Sequence, residues 1–249
     1  MPYGRNMPAD SPTIVATSMG FKLRGRDRFD LDPGPVFDLC AELSGATGTP
    51  KVCFIGTATG DEKTTIASVY AALAPRFRPS HLELFSMPNI DDVGEHLLDQ
   101  DVVWVGGGSV ANLLALWKLH GWDELLFQAW QAGVVLAGVS AGSLCWHIGG
   151  TTDSFGPTLR PVNNGLAFLP YSNGVHYDSE PQRRPLYHQL IADGALPDGY
   201  ATDDGVGLVY SGTELREAVA DRDGAFAYSV RRGPADQAVE TVIEPRRLR

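Results

Sequence analysis

Short apolar runs alternate with longer amphipathic stretches from residue 13 onward. "TIVATS" (13–18), "KVCFIGTA" (51–58), "HLELFS" (81–86), "VVWVGG" (102–107) and "VVLAGVS" (134–140) are rich in Val, Leu and Ile. Runs of that length with little polar alternation predict strands buried on both faces, as in a parallel sheet. Between them, "GPVFDLCAEL" (34–43), "TTIASVYAAL" (64–73), "DDVGEHLLDQ" (91–100) and "ANLLALWKLHGWDELLFQAW" (111–130) repeat apolar residues every three or four positions, the spacing of an amphipathic helix. Strand–helix alternation calls for right-handed crossovers and helices on both faces of one sheet. The expectation is an α/β three-layer sandwich around a mostly parallel sheet. After residue 200 the pattern shortens to "GVGLVY", "LREAVA", "AFAYSV" and "AVETVI". These predict late strands finishing the same sheet, with antiparallel pairing open to them.

Ligands and reacting groups in such sheets gather beyond the carboxyl ends of the strands. Ser140 falls there, in "VVLAGVSAGSLCWHIGGTTDSFG" (134–156), directly after a predicted strand and before a helix-compatible stretch. Gly138 and Gly142 flank it as a nucleophile elbow requires, because a side chain at either position would collide with neighbouring backbone. Gly-x-Ser-x-Gly alone is unspecific, and a glycine turn whose serine caps a helix is the plain alternative.

A serine nucleophile needs a base. Of six histidines, His147 lies seven residues along the predicted helix, roughly 10 Å from Ser140, and reads as structural. His81, His96, His120 and His188 belong to amphipathic segments. His176, in "NGVHYDSE", precedes a polar loop of the kind that carries catalytic groups on a rigid sheet. The acid that orients a base has candidates in Asp153 of "TTDSFG" and in Asp203 or Asp204 of "ATDDGVGLVY", although Asp-Asp-Gly is also simply a turn sequence. "VVWVGGGSVANLLALWK" ends a strand in three glycines and opens a helix. It fits Gly-x-Gly-x-x-Ala formally, yet the following acids, Asp123 and Glu124, fall inside a helical pattern, which argues against a dinucleotide. Bare glycine amides near a serine elbow better serve as half of an oxyanion hole.

Length and charge narrow the functions. The 249 residues show no linker, repeat or low-complexity seam, so one domain spanning 1–249 is expected, with 1–11 as a loose leader. No apolar run approaches the length of a membrane span and the N-terminus lacks a secretion signal, which predicts a cytoplasmic protein. A formal charge of −10 argues against nucleic acid. Cys40, Cys53 and Cys145 form no metal-ligand or disulfide pattern, so buried thiols and no metal are expected.

"GGGSVANLL", "GVSAGS" with the following "TTD", "GVHYD", and the acid–Gly pair before "VGLVY" occur in an order that resembles the peptidase E family of aspartyl dipeptidases and their relatives the cyanophycinases. The matches cover most of residues 100 to 210. The resemblance implies a flavodoxin-like fold similar to class I glutamine amidotransferases, whose elbow carries Cys where this chain has Ser140. Glutaminase chemistry is therefore not expected, since Cys145 lies five residues further on. It implies Ser140 as nucleophile, His176 as general base, and the amides of Gly108 and Ala141 as the oxyanion hole. Asp204 matches the family's acid before a late strand and is preferred here; Asp153 is the alternative. Selectivity for N-terminal Asp requires a cation, and Arg183 and Arg184 follow His176 near the family's arginine; only one of them can point inward. Two departures stand out: Ser109 replaces the usual Asn, and Asp204 replaces the commoner Glu. The implied activity is hydrolysis of short peptides with N-terminal Asp through an acyl-enzyme, without a cofactor. The alternatives are a cyanophycinase-like exopeptidase acting on β-linked Asp–Arg units and a non-catalytic small-molecule or nucleotide-binding domain. The expected partner is a small peptide, and a homodimer is left open.

Overall fold

The computed structural model describes residue 9, residues 11–27 and residues 29–249. Most of the expected leader lies outside the described residues. The chain runs through β1 (Thr13–Thr17), β2 (Phe21–Leu23), β3 (Leu31–Pro33), α1 (Pro35–Leu43), β4 (Lys51–Ile55), α2 (Lys63–Leu73), β5 (Arg78–Leu82), α3 (Val93–Leu98) and β6 (Val102–Val105). It continues through α4 (Val110–His120), α5 (Trp122–Gln131), β7 (Val135–Val139), α6 (Ala141–Leu144), β8 (His147–Thr152), β9 (Arg160–Val162), β10 (Leu169–Gly174) and α7 (Arg183–Ala192). The last strands are β11 (Gly199–Thr202), β12 (Val206–Ser211), β13 (Glu214–Ala220), β14 (Ala227–Arg232), β15 (Ala238–Ile243) and β16 (Arg246–Arg247).

The main sheet has the order β16-β13-β12-β1-β7-β6-β4-β5. From β1 to β5 every pairing is parallel, and β12 joins β1 antiparallel. Alternate residues of the central strands enter two cores, which is why the strands read as nearly continuous apolar runs. Ile14, Cys53, Val103 and Leu136 face one core with Leu113, Trp117 and Leu126 of α4 and α5. Val15, Phe54, Trp104 and Ala137 face the other with Phe37 of α1 and Val69 of α2. Fully burying one such side chain stabilises the fold by about 1.5–3 kcal/mol. The sandwich expected from the alternation is thus present, with flavodoxin-like helices on both faces.

Three expectations need correction. The run 111–130 is two helices, because Gly121 adopts a left-handed φ of 69° and caps α4. The helix after Ser140 ends at Leu144, and His147 opens a strand instead. The late strands do not all finish one sheet. β12 and β13 join the main sheet, whereas β11, β14 and β15 form a second sheet of order β15-β14-β11-β10-β8-β9. That second sheet shares a core with the main one through Leu144, Trp146, Phe168 and Tyr200. Its other side is covered by α7 through Tyr187 and Ile191.

Candidate active site

Ser140 sits at the carboxyl end of β7 with φ 57° and ψ −111°. Such backbone costs a non-glycine residue about 1–3 kcal/mol, and it persists only where surrounding contacts enforce it. The contacts are close. A Cβ on Gly142 would stand 2.2 Å from the Val105 carbonyl oxygen, and one on Gly138 would stand 2.5 Å from that of Gly142. The Ser140 amide donates to the Thr17 carbonyl of β1 at 3.0 Å, and its own carbonyl accepts from Ser143 and Leu144. A sharp, strained turn from β7 into α6 is therefore present, and it leaves no room for a side chain at Gly138 or Gly142.

The triple glycine lies beside it. A Cβ on Gly107 would be 3.3 Å from Ser140 Cβ and 3.9 Å from its hydroxyl. Gly108 has a φ of 133°, and a side chain there would strike the Ala58 carbonyl at 2.4 Å. Ser109 caps α4 by accepting from the Asn112 amide. Among the described residues the Gly108 amide has no backbone acceptor. The Ala141 amide is at the first helical position, where no intrahelical acceptor exists.

The second sheet delivers the other candidates. β10 and β11 are parallel neighbours with Gly174 opposite Ala201, so the loops that follow them leave from one edge. His176 follows β10, and Asp204 follows β11. His176 Nδ1 meets Asp204 Oδ1 at 2.5 Å. Burial disfavours the Asp204 carboxylate, but hydrogen bonds from His176 and Ser179, with the charges of His176 and Arg222, hold its pKa below the ordinary value. An ionised carboxylate only accepts, so the proton of this bond belongs to Nδ1, and in a neutral ring Nε2 is then the acceptor. Among the described residues, neither Ser140 Oγ nor His176 Nε2 hydrogen-bonds a protein side chain, the two not bonding each other.

Asp153 is exposed, and its side chain makes no hydrogen bond among the described residues. Asp203 is buried and accepts from the Phe226 amide and the Tyr228 hydroxyl, away from His176. His147 is fully buried, with Nδ1 at 2.9 Å from the Ser143 carbonyl. Burial pushes its pKa down to about 4, so it is neutral and structural. Cys145 is buried too, and desolvation raises its thiol well above the usual value.

The two arginines part ways. Arg183 is 3% exposed and donates from Nε to Glu180 at 2.8 Å and from Nη1 to the Thr151 carbonyl at 2.5 Å. Gly150 of β8 lies opposite Asn173 of β10, so Thr151 is level with Gly174, two residues before His176. Arg184 points outward, pairs with Glu240, and lies over the rings of Tyr177 and Tyr228 at 5.0 and 4.6 Å.

Three residues around the site were not among the candidates the sequence offered. Ser18 Oγ accepts from the His176 amide at 3.1 Å, one residue beyond the Thr17 carbonyl that holds Ser140. Asp178 Oδ1 accepts from the Asp204 amide at 2.8 Å, and Arg222 pairs with Asp178 while donating to the Asp204 carbonyl at 2.5 Å. Asp178 lies within "GVHYDSE", the segment that carries His176, which is a local signal; nothing in the sequence around Arg222 marks it. Among the described residues no cluster of three His, Cys, Asp or Glu is placed to hold a metal ion, and no helix is long and apolar enough to cross a membrane.

Known proteins with this architecture and sequence bear on the family. The chain is 47% identical over 182 residues to the uncharacterized peptidase YgaJ of Bacillus subtilis strain 168, covering 73% of this chain and 78% of that protein. It is 28% identical over 152 residues to peptidase E of Shewanella denitrificans, covering 57% and 64% of the two chains. Among solved structures, a peptidase from an acI-B1 Actinobacterium shares the fold with a TM-score of 0.63 at 17% identity, over 94% of this chain and 95% of that one. A candidate peptidase E protein from Listeria monocytogenes EGD-e superposes with a TM-score of 0.57 at 20% identity, over 83% and 97%. The model of peptidase family S51 matches residues 34–218. With that match spanning most of the described strands and helices, the chain belongs to peptidase family S51.

Proposed function

We propose that this peptidase is a serine exopeptidase that hydrolyses short peptides after an N-terminal Asp through an acyl-enzyme. The observation that carries the reading is the 2.5 Å contact between His176 Nδ1 and Asp204, beside the end of β1, where Thr17 holds the Ser140 amide and Ser18 holds the His176 amide.

Ser140 Oγ attacks the scissile carbonyl as His176 Nε2 takes its proton. The carboxylate of Asp204 holds the imidazole in the tautomer with Nε2 free and stabilises the imidazolium that forms. The amides of Gly108 and Ala141 stabilise the oxyanion, a contribution of several kcal/mol in preorganised sites. His176 gives the proton to the leaving amine. Water then repeats the sequence on the acyl-enzyme and frees Ser140. The Ser140–His176 hydrogen bond belongs to the substrate complex, where catalytic contacts commonly tighten. Arg183 reads the side-chain carboxylate of the first residue. It is the buried arginine of the two, and the Nη hydrogens not given to Thr151 are its donors to a carboxylate, Nε being taken by Glu180.

The test is a panel of dipeptides varied at the first position, with Ser140→Ala as control. The expected result is hydrolysis of Asp-Leu well above that of Leu-Leu or Ala-Leu, abolished in Ser140→Ala. Equal turnover by wild type and Ser140→Ala would remove the serine mechanism. Wild-type turnover without preference for Asp would remove the specificity.

A further inference from the structure

Ser18 stands where the segments of all three proposed catalytic residues meet, and we infer that it is a positioning residue that holds His176 against Asp204; the inference rests on the triad proposed above. Ser18 is 5% exposed, at the end of β1. Its hydroxyl accepts from the His176 amide at 3.1 Å and shares a hydrogen bond with Thr202 Oγ1 at 2.7 Å. Its amide donates to the Val206 carbonyl at 2.8 Å, and its carbonyl accepts from Gly205 at 2.8 Å. Asp204 lies between Thr202 and these last two partners in the chain. The preceding residue, Thr17, holds the Ser140 amide. The tip of β1 thus touches the nucleophile's backbone, the base's backbone and both flanks of the acid.

The need for such a mount follows from the histidine's own backbone. His176 has a φ of 53°, a left-handed conformation that favours glycine and that a histidine keeps only under constraint. The neighbouring Tyr177 amide donates to the Thr202 carbonyl, and the His176 carbonyl accepts from Glu180. The His176 amide itself has only the Ser18 hydroxyl among the described residues. A serine hydroxyl can serve two neighbours at once, with a lone pair for the His176 amide and a proton or second lone pair for Thr202. Removing it strands a half-buried amide and frees the residue to leave the left-handed region, which swings the imidazole away from Asp204. The strand backbone of β1 keeps its ladder, so the fold remains.

The decisive experiment compares Ser18→Ala with wild type, using thermal melts as the folding control. We expect kcat for Asp-Leu to fall roughly a hundredfold, the size of a small misplacement of reacting groups, with KM changed by less than about twofold. In proton NMR, the far-downfield signal of the His176 Nδ1 proton, identified by its absence from His176→Ala, should vanish in Ser18→Ala. Ser18→Thr keeps the hydroxyl, and Ser18→Val has the same shape without it, so the Thr variant should retain at least about tenfold more kcat than the Val variant. Wild-type kcat in Ser18→Ala overturns the inference, and so does a lost rate with the downfield proton intact. If Ser18→Ala does not fold, equal rates for the Thr and Val variants overturn it and the tenfold gap supports it. A wild-type chain inactive on every Asp dipeptide refutes the proposed reaction instead. The downfield proton, present in wild type and present or absent in Ser18→Ala, still decides whether Ser18 holds the histidine.

Discussion

Arg222 Nε donates to the backbone carbonyl of Asp204 at 2.5 Å. The same guanidinium pairs with Asp178, whose other oxygen accepts from the Asp204 amide. Both backbone polar groups of Asp204 are thereby gripped by one ion pair. The pair is partly exposed, and exposed pairs contribute at most about 1 kcal/mol to stability. Its effect should therefore appear in rate rather than in melting. Arg222→Met should lower kcat about tenfold through a misplaced acid, while the melting temperature barely moves. Unchanged kcat would reduce the clamp to surface decoration.

The two carboxylates weighed as orienting acid now separate sharply. Asp204→Asn replaces the carboxylate that meets His176 Nδ1, and under the proposed mechanism it should cost about a thousandfold or more in kcat. Asp153→Asn changes an exposed side chain that makes no hydrogen bond among the described residues and should stay within about twofold of wild type. Steady-state kinetics on Asp-Leu checks the ranking, and the reverse order would transfer the acid's role to Asp153.

Arg183 and Arg184 differ in burial, so their variants should differ in kind. Arg183→Met should lower kcat/KM for Asp-Leu at least roughly a hundredfold, the loss of about 3 kcal/mol of charge-assisted binding. Hydrolysis of Ala-Leu by the same variant should fall far less, which separates lost recognition from lost folding. Arg184→Met removes a pair with Glu240 and leaves the preference for Asp in place. If Arg183→Met keeps that preference, the carboxylate is read elsewhere.

His147 makes stability depend on pH. Its pKa falls from 6.5 unfolded to about 4 folded because burial penalises the charged ring. Above pH 6.5 both states leave it neutral. Between 6.5 and about 4 the unfolded chain takes a proton that the folded chain refuses, so stability drops as pH falls through that window. The loss amounts to at most about 3 kcal/mol by pH 4. Urea unfolding at pH 7 and pH 4.5 should show the slope, and His147→Gln should flatten it. An equal slope in the variant would assign the acid sensitivity to the carboxylates.

Much of this molecule is local in origin and was legible residue by residue. The buried strands announce themselves because apolar residues run without a polar break after Lys51 in β4, in β6 and in β7, where both faces meet helices. The elbow announces itself because Gly138 and Gly142 are needed wherever a strand turns sharply against the Val105 backbone. Register and partnership are different. "SLCWHIGGTT" carries a pattern that suits a continued helix, yet the chain turns into β8. There Gly150 lies so close to β10 that a Cβ would stand 2.1 Å from the Asn173 carbonyl. No window of sequence contains both sides of that contact.

The choice of Asp204 over Asp153 belongs to the same class. Both acids follow strands and precede turns. Both are carried by strands that run parallel to β10, β8 on one side and β11 on the other, so pairing alone does not choose between them, and the contact of His176 Nδ1 with Asp204 does. Ser18 is 158 residues from the histidine whose amide it accepts, and a serine ending an apolar strand has no local mark of that duty. Backbone sterics and hydrophobic period act over a few residues, so the sequence by itself determined the strands, the glycine elbow and the residue types able to do the chemistry. Hydrogen bonds between distant segments depend on which strands pair and in what register. Only the tertiary structure, through long-range packing of two sheets on a shared core, decided which carboxylate meets His176, which arginine is buried and which serine accepts from the His176 amide.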